Sequence, residues 1–236
     1  MTMTTADPRR THLPRQESLD VRTARTTGLL YLAVGVTGML GFLVVRPRLF
    51  DPDDPAGTAA NLVTHDWLAS TGIALELGLV ISQALAALWF FKLYRPAAWL
   101  PAAGIAGFGM ANALTVLASA ACLTTAARVA DQPSGNRDAQ LLYGLSEGLW
   151  AVGSVFFGLW LVPMGIAVLR SGWGPRALGR LLVVGGVGYV LSAFVASALP
   201  NSPDAAASVL VLPATVGELW MVGWLLLRGA GARRVR

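Results

Sequence analysis

Three glutamates are the residues of this chain best suited to chemistry, because each lies well inside a long apolar run. They are Glu76, Glu147 and Glu218. A carboxyl group inside a membrane must be paired, hydrated or protonated. We therefore interpret the three acids as candidate sites for a proton, a cation or a cationic substrate. The simpler alternative is that each is a neutral or hydrated packing residue.

Apart from Arg180 at the inner end of the fifth span, the apolar runs, with the boundaries predicted below, contain no lysine, arginine or histidine that could pair with these acids. Their expected hydrogen-bond partners are amide, hydroxyl and indole groups: Gln83, Asn112, Thr115, Ser146, Thr215, Trp150 and Trp220. Gln83 and Asn112 join the glutamates as candidates for substrate or proton binding. All three acids fall in the outer half of the predicted bundle, where they could meet. Glu218 is the deepest, so we expect it to be the most important acid and to be protonated at neutral pH.

The segment Gly144–Gly148 matches the G-x-S-x-G pattern of serine hydrolases, with Ser146 at the nucleophile position. That pattern requires a strand–turn–helix elbow and a histidine base. Here it falls inside a predicted helix, and the histidines are His12 in the N-terminal tail and His65 in an outer loop. Contact between His65 and Ser146 is not excluded, but we assign no catalytic residue.

Six apolar runs position these residues, and each is long enough to cross a bilayer, which takes about 20 residues. The backbone of such a run must satisfy its own hydrogen bonds in lipid, so we predict six helices and an all-α membrane protein. The predicted spans are about 27–45, 67–91, 98–126, 140–169, 178–199 and 206–227. They form one domain over 26–229, between a disordered basic tail at 1–25 and a short basic tail at 230–236.

Composition agrees with a membrane class, since 55% of the 236 residues are hydrophobic and only 13% are charged. The formal net charge is +5. The loops and tails on one side of the spans carry 14 Lys and Arg residues, against four on the other side. By the positive-inside rule both termini are cytoplasmic, and we expect the cytoplasmic (inner) membrane. The basic residues flank apolar spans, so we expect anionic lipid headgroups as partners and no nucleic acid.

The sequence makes a specific prediction for each of two loops. Arg170, Arg176 and Arg180 follow the fourth span and should anchor its inner loop on headgroups. In the long first outer loop, Asp54-Pro55 predicts a capped interfacial helix over about 55–64. Asp51, Asp53 and Asp54 lack the spacing of a calcium loop, so we predict turn and cap chemistry, no metal and no cofactor.

Several motifs resemble a bacterial membrane family known as domain of unknown function 4386. They are Leu169-Arg170-Ser171 with Pro175-Arg176-Ala177-Leu178-Gly179, Gly217-Glu218-Leu219-Trp220 with Trp224–Gly229, and Thr27–Leu32. The similarity runs over roughly 22–230. It implies the fold and a membrane location, and it implies no activity.

Three functions remain open at this point. The leading hypothesis is a small transporter or proton-linked carrier that uses the intramembrane glutamates, with a small molecule or ion as ligand. The alternative is a non-catalytic membrane sensor or partner protein. An intramembrane enzyme is third. The sequence leaves the oligomeric state open.

Overall fold

A computed structural model describes residues 20–198 and 204–228, and within these ranges the chain is helical without strands. The helices are α1 (Val21–Met39), α2 (Arg46–Leu49), α3 (Pro55–Thr64), α4 (Asp66–Tyr94), α5 (Trp99–Val129), α6 (Gly135–Ser171), α7 (Arg176–Ala198) and α8 (Asp204–Arg228). A π-helical turn, Leu40–Val45, joins α1 to α2 without a break.

Six of these helical segments are long and apolar enough to span a membrane, which confirms the predicted number of spans. The first of them runs from Val21 to Leu49, so it begins earlier and ends later than the sequence suggested. Asp20 caps its start by accepting a hydrogen bond from the backbone N–H of Arg22. A further hydrogen bond from the Thr23 hydroxyl lowers the pKa of Asp20. The remainder of the predicted N-terminal tail and the predicted tail at 230–236 lie outside the described residues.

The spans are arranged as a ring in chain order. Each long helix packs against the next, and α1 closes the ring by contacting both α4 and α8. The interior is filled with apolar and aromatic side chains, among which Tyr31, Phe90 and Trp160 contact one another edge to face. The outer surface carries exposed Leu, Ile, Val and Phe side chains such as Leu29, Ile81 and Phe194. This outside-apolar bundle is a multi-pass membrane protein, since lipid is the solvent that such a surface requires.

Close helix packing follows from glycines in α6 and α7. A Cβ added to Gly158 would lie 2.5 Å from the Gly186 carbonyl oxygen, and one added to Gly165 would lie 2.5 Å from that of Gly179. The two pairs are placed symmetrically about Gly172, which ends α6 with a left-handed φ of 65°. Small residues at such crossings let helix backbones approach closely, and this stabilises helices in lipid.

One end of the bundle is covered by α3, which confirms the helix predicted over 55–64. The Asp54 carboxylate accepts a hydrogen bond from the Gly57 N–H at 2.9 Å, as expected of an N-cap. Asp51 likewise accepts from the Asp53 N–H, which confirms turn chemistry for these acids. The Gln140 amide in α6 donates to the carbonyls of Asp51 and Pro52. These bonds hold the loop and α3 over the ends of α4, α5 and α6.

Candidate functional site

A buried arginine is the feature around which the candidate site is built. Arg46 lies at the junction of the π-helical turn and α2, and its side chain is 6% exposed. Its backbone N–H bonds to the Gly41 carbonyl, five residues earlier, as in a π-helix. Pro47 follows in the first turn of α2, directly after the π-helical turn. The chain therefore continues as one helix past the proline and carries Arg46 into the bundle.

Glu76 of α4 is the partner of Arg46. The Arg46 Nη2 atom lies 2.8 Å from the Glu76 Oε1 atom, and the carboxylate side chain is 4% exposed. The Ser119 hydroxyl of α5 donates to the Oε2 atom of Glu76 at 2.9 Å. The Trp150 indole N–H of α6 donates to Oε1 at 3.0 Å. The Ser146 hydroxyl of α6 contacts both the Arg46 Nη2 atom and the Ser119 hydroxyl. We call these five residues the Arg46 cluster, and it joins four of the six spans.

Aromatic rings surround the guanidinium group of this cluster. Its carbon atom lies 5.6 Å from the centroid of the Tyr143 ring and 5.8 Å from those of Phe42 and Trp150. Such rings attract a cation through their negative faces. Among the described residues nothing accepts a hydrogen bond from the Arg46 Nη1 atom, which is buried. A cavity beside Arg46 and Glu76 has room for about one water molecule. The positive charge of Arg46 is thus balanced by Glu76, and the Arg46 Nη1 atom remains as a donor without an acceptor among the described residues.

The expectation that no cation lies within the spans was wrong, because the sequence analysis assigned Arg46 to an outer loop. The predicted first span ended at residue 45, one residue before Arg46. The helix instead continues through the π-helical turn and past Pro47 into α2. A lone buried glutamate was itself a signal, since a buried carboxylate needs a cation or a proton. Of the polar partners expected for the acids, Ser146 and Trp150 do contact Glu76 or its arginine.

Glu218 of α8 occupies a different environment. The Tyr31 hydroxyl of α1 donates to its Oε1 atom at 2.7 Å. Tyr31 lies fifteen residues before Arg46 on the first span, about 22 Å along a helix. The two acids therefore belong to separate sites, so the three glutamates, which the sequence allowed to meet, do not do so. Glu147 belongs to neither site, since its side chain is exposed on the surface of α6.

The two amide candidates are deeply buried. Gln83 of α4 and Asn112 of α5 are each 1% exposed. Within the described ranges, the side-chain oxygen and nitrogen of Gln83 have no hydrogen-bond partner. The Asn112 Nδ2 atom has none either. The three candidate anchoring residues of the inner loop are all exposed: Arg170, Arg176 and Arg180.

Within the part of the chain that the structure describes, Ser146 has no histidine base and so no arrangement for nucleophilic catalysis. The whole Gly144–Gly148 segment is α-helical, so the hydrolase elbow is not formed. Ser146 is bonded to Arg46 and Ser119, whereas His65 is exposed at the N-terminus of α4. Its hydroxyl therefore serves the ion pair. Among the described residues, no group of three His, Cys, Asp or Glu side chains could hold a metal ion.

Comparison with protein families gives a match over most of the chain. The model of a domain of unknown function, DUF4386, covers residues 26–229. The chain belongs to this family. No curated protein matches, and no solved structure matches. Membership of DUF4386 confirms the resemblance found in the sequence, and the family description carries no activity.

The DUF4386 motifs have structural places in this chain. Arg170 and Ser171 end α6, and Arg176 begins α7 after the left-handed Gly172. The motif at Gly217–Trp220 contains Glu218 and lies in α8. The first motif, Thr27–Leu32, contains Tyr31, the partner of Glu218. Two of the resembling motifs therefore meet in one hydrogen bond.

Proposed function

We propose that this protein is a proton-linked carrier of the cytoplasmic membrane, with the Arg46 cluster as its ligand site. The observation that carries the proposal is the buried Arg46–Glu76 ion pair, which is held by side chains from four spans. Ionisable groups inside a membrane are rare and mark substrate pathways or proton relays. The buried ion pair and the Arg46 Nη1 atom, which has no acceptor among the described residues, together support a binding function.

The chemistry of the pair provides coupling between a proton and a ligand. A proton on Glu76 would neutralise the carboxyl and release its arginine. The guanidinium keeps its charge, so it would then need another acceptor. A small anion, such as a carboxylate, could occupy that place and keep the site neutral. The same exchange would weaken the hydrogen bonds from Ser119 and Trp150 to Glu76, which join α4 to α5 and α6. These helices could then change their relative positions.

Orientation and lipid partners complete the proposal. Both termini lie in the cytoplasm, supported by the excess of Lys and Arg on that side of the spans. With Arg46 buried, the opposite side retains only Arg48, Arg128 and Arg137, so the bias becomes stronger. The exposed arginines of the α6–α7 turn bind anionic headgroups.

Proton flux in vesicles tests the carrier. The purified full chain is reconstituted with a pH-sensitive dye inside, the membrane potential is clamped, and succinate, glutamate or phosphate is added as the probe anion. We expect anion-dependent proton uptake in the wild type and none with Glu76→Gln, since an amide cannot exchange a proton. Glu147→Gln is the matched control, because the same substitution on the exposed acid should leave uptake unchanged.

A second function, a non-catalytic sensor or partner protein, is favoured by one observation. The cavities beside Arg46 and beside Asn112 each have room for about one water molecule, which is all that a static bundle requires. Wild-type vesicles that behave like empty vesicles with every probe anion would overturn the carrier and leave this alternative.

A further inference from the structure

Gln83 and Asn112 form a second polar level in the middle of the bundle. Each side chain is 1% exposed. Three of their amide atoms have no hydrogen-bond partner within the part of the chain that the structure describes. A buried polar group without a partner is destabilising, and such groups in native proteins are nearly always satisfied. Two unpaired amides on neighbouring helices therefore point to a ligand that both can bind.

The helix register places the two amides side by side. The contact between Glu76 and Ser119 fixes α4 against α5 at one level. Gln83 lies seven residues after Glu76, and Asn112 lies seven residues before Ser119. The helices pack antiparallel, so each amide is two turns, about 10 Å, from the ion pair and on the same level.

A cavity connects this level to the Arg46 cluster. Asn112, Thr115 and Trp150 help to line it, and it has room for about one water molecule. The indole N–H of Trp150 also donates to Glu76 at 3.0 Å. Trp150 thus lies between the two sites, since it lines the cavity beside Asn112 and bonds to the Glu76 carboxylate.

On its other side, the amide level is closed by aromatic packing. Phe90 lies seven residues after Gln83 on α4 and packs against the ring of Tyr31 at a centroid distance of 5.3 Å. The Tyr31 hydroxyl donates to Glu218 at 2.7 Å. Gln83 therefore lies between Glu76 and Tyr31 along the bundle.

We propose that Gln83 and Asn112 bind a short file of internal water molecules beside the Arg46 cluster, and that these waters exchange protons with the Glu76 carboxyl. Water is the ligand that suits amides offering both donors and acceptors in a space of this size. An excess proton on these waters is taken up by the Glu76 carboxylate, and the reverse step returns it to the waters. The proton path rests on the proposed carrier function, whereas the bound waters do not.

The waters are tested first, without transport. A map of the purified full chain that resolves ordered waters should show peaks within about 3 Å of the Gln83 and Asn112 amides. The stability of Gln83→Leu gives an independent reading. If waters satisfy the amide, the leucine variant is no more stable than the wild type. If the amide is dry, leucine removes an unsatisfied group and raises the melting temperature. An empty map at this level, or a stabilised variant, overturns the proposal.

The path is tested in the vesicle assay. We expect Gln83→Leu and Asn112→Leu to lose proton uptake, because leucine cannot hold the waters. Gln140→Leu is the matched control, since Gln140 bonds the α3 loop far from the file. Wild-type uptake that persists in both leucine variants would refute the path and leave the carrier standing. If the wild type takes up no protons, the carrier function is refuted. The map and the stability measurement would still show whether water molecules are bound at Gln83 and Asn112.

Discussion

Removing one member of the Arg46–Glu76 pair should destabilise the bundle strongly. Glu76→Leu leaves a guanidinium group that is 6% exposed, without its counter-ion. Breaking a buried ion pair in this way costs about 3–5 kcal/mol. For soluble proteins of this size, 1 kcal/mol shifts the melting temperature by about 2–4 °C. We therefore expect Glu76→Leu to melt on the order of 10 °C below the wild type.

The two single variants should differ in a defined direction. After Arg46→Met, the remaining Glu76 can accept a proton and keep its bonds to Ser119 and Trp150. After Glu76→Leu, the remaining arginine stays charged. Arg46→Met should therefore cost less than Glu76→Leu. The double variant should be more stable than the sum of the two single effects predicts, since neither charge is left alone.

The assay is thermal unfolding of the purified variants in one detergent, followed as loss of the monodisperse peak on size exclusion. Arg48→Met is the control, because Arg48 lies two residues away and is exposed. If Arg46→Met and Arg48→Met melt at the same temperature, or if the double-variant cycle gives no coupling, then the buried pair does not exist as described and the reasoning fails.

Four further predictions concern other parts of the chain. A reporter fused after Arg236 should be active only if it is a cytoplasmic type; periplasmic activity would reverse the topology. Changing the three arginines of the α6–α7 turn (Arg170, Arg176 and Arg180) to Gln should lower membrane insertion or expression. Unchanged expression and orientation would show that they do not anchor the turn. Glu218→Gln should melt at the wild-type temperature, because a neutral carboxyl and an amide can both donate and accept hydrogen bonds. If infrared titration instead gives Glu218 a pKa near the ordinary value of about 4.3, the acid is open to water. Gly158→Leu should cost about 3 kcal/mol, because its Cβ would meet the Gly186 carbonyl oxygen, whereas Gly144→Leu, with open space at its Cβ, should be tolerated; equal melting temperatures would contradict the close α6–α7 crossing.

The candidate site was only half visible in the sequence. The acids were identifiable because an ionisable residue is rare in an apolar run, and the buried amides stood out for the same reason. Arg46 was missed because the predicted first span ended at residue 45, and a π-helical turn has no sequence signature that would extend it. Tyr31 was missed because a tyrosine in a span is usually a packing residue, and its partner Glu218 is 187 positions away.

The sequence alone determined the solvent, the number of spans and the capped helix α3, because these depend on local composition and on the cost of unpaired backbone groups in lipid. Only the tertiary structure decided which side chains meet. Arg46, Glu76, Ser119 and Trp150 come from four helices, and their meeting depends on how each helix is rotated and how far it slides against its neighbours. Those two quantities are set by packing, such as the paired glycines of α6 and α7, and a pattern within one helix does not contain them.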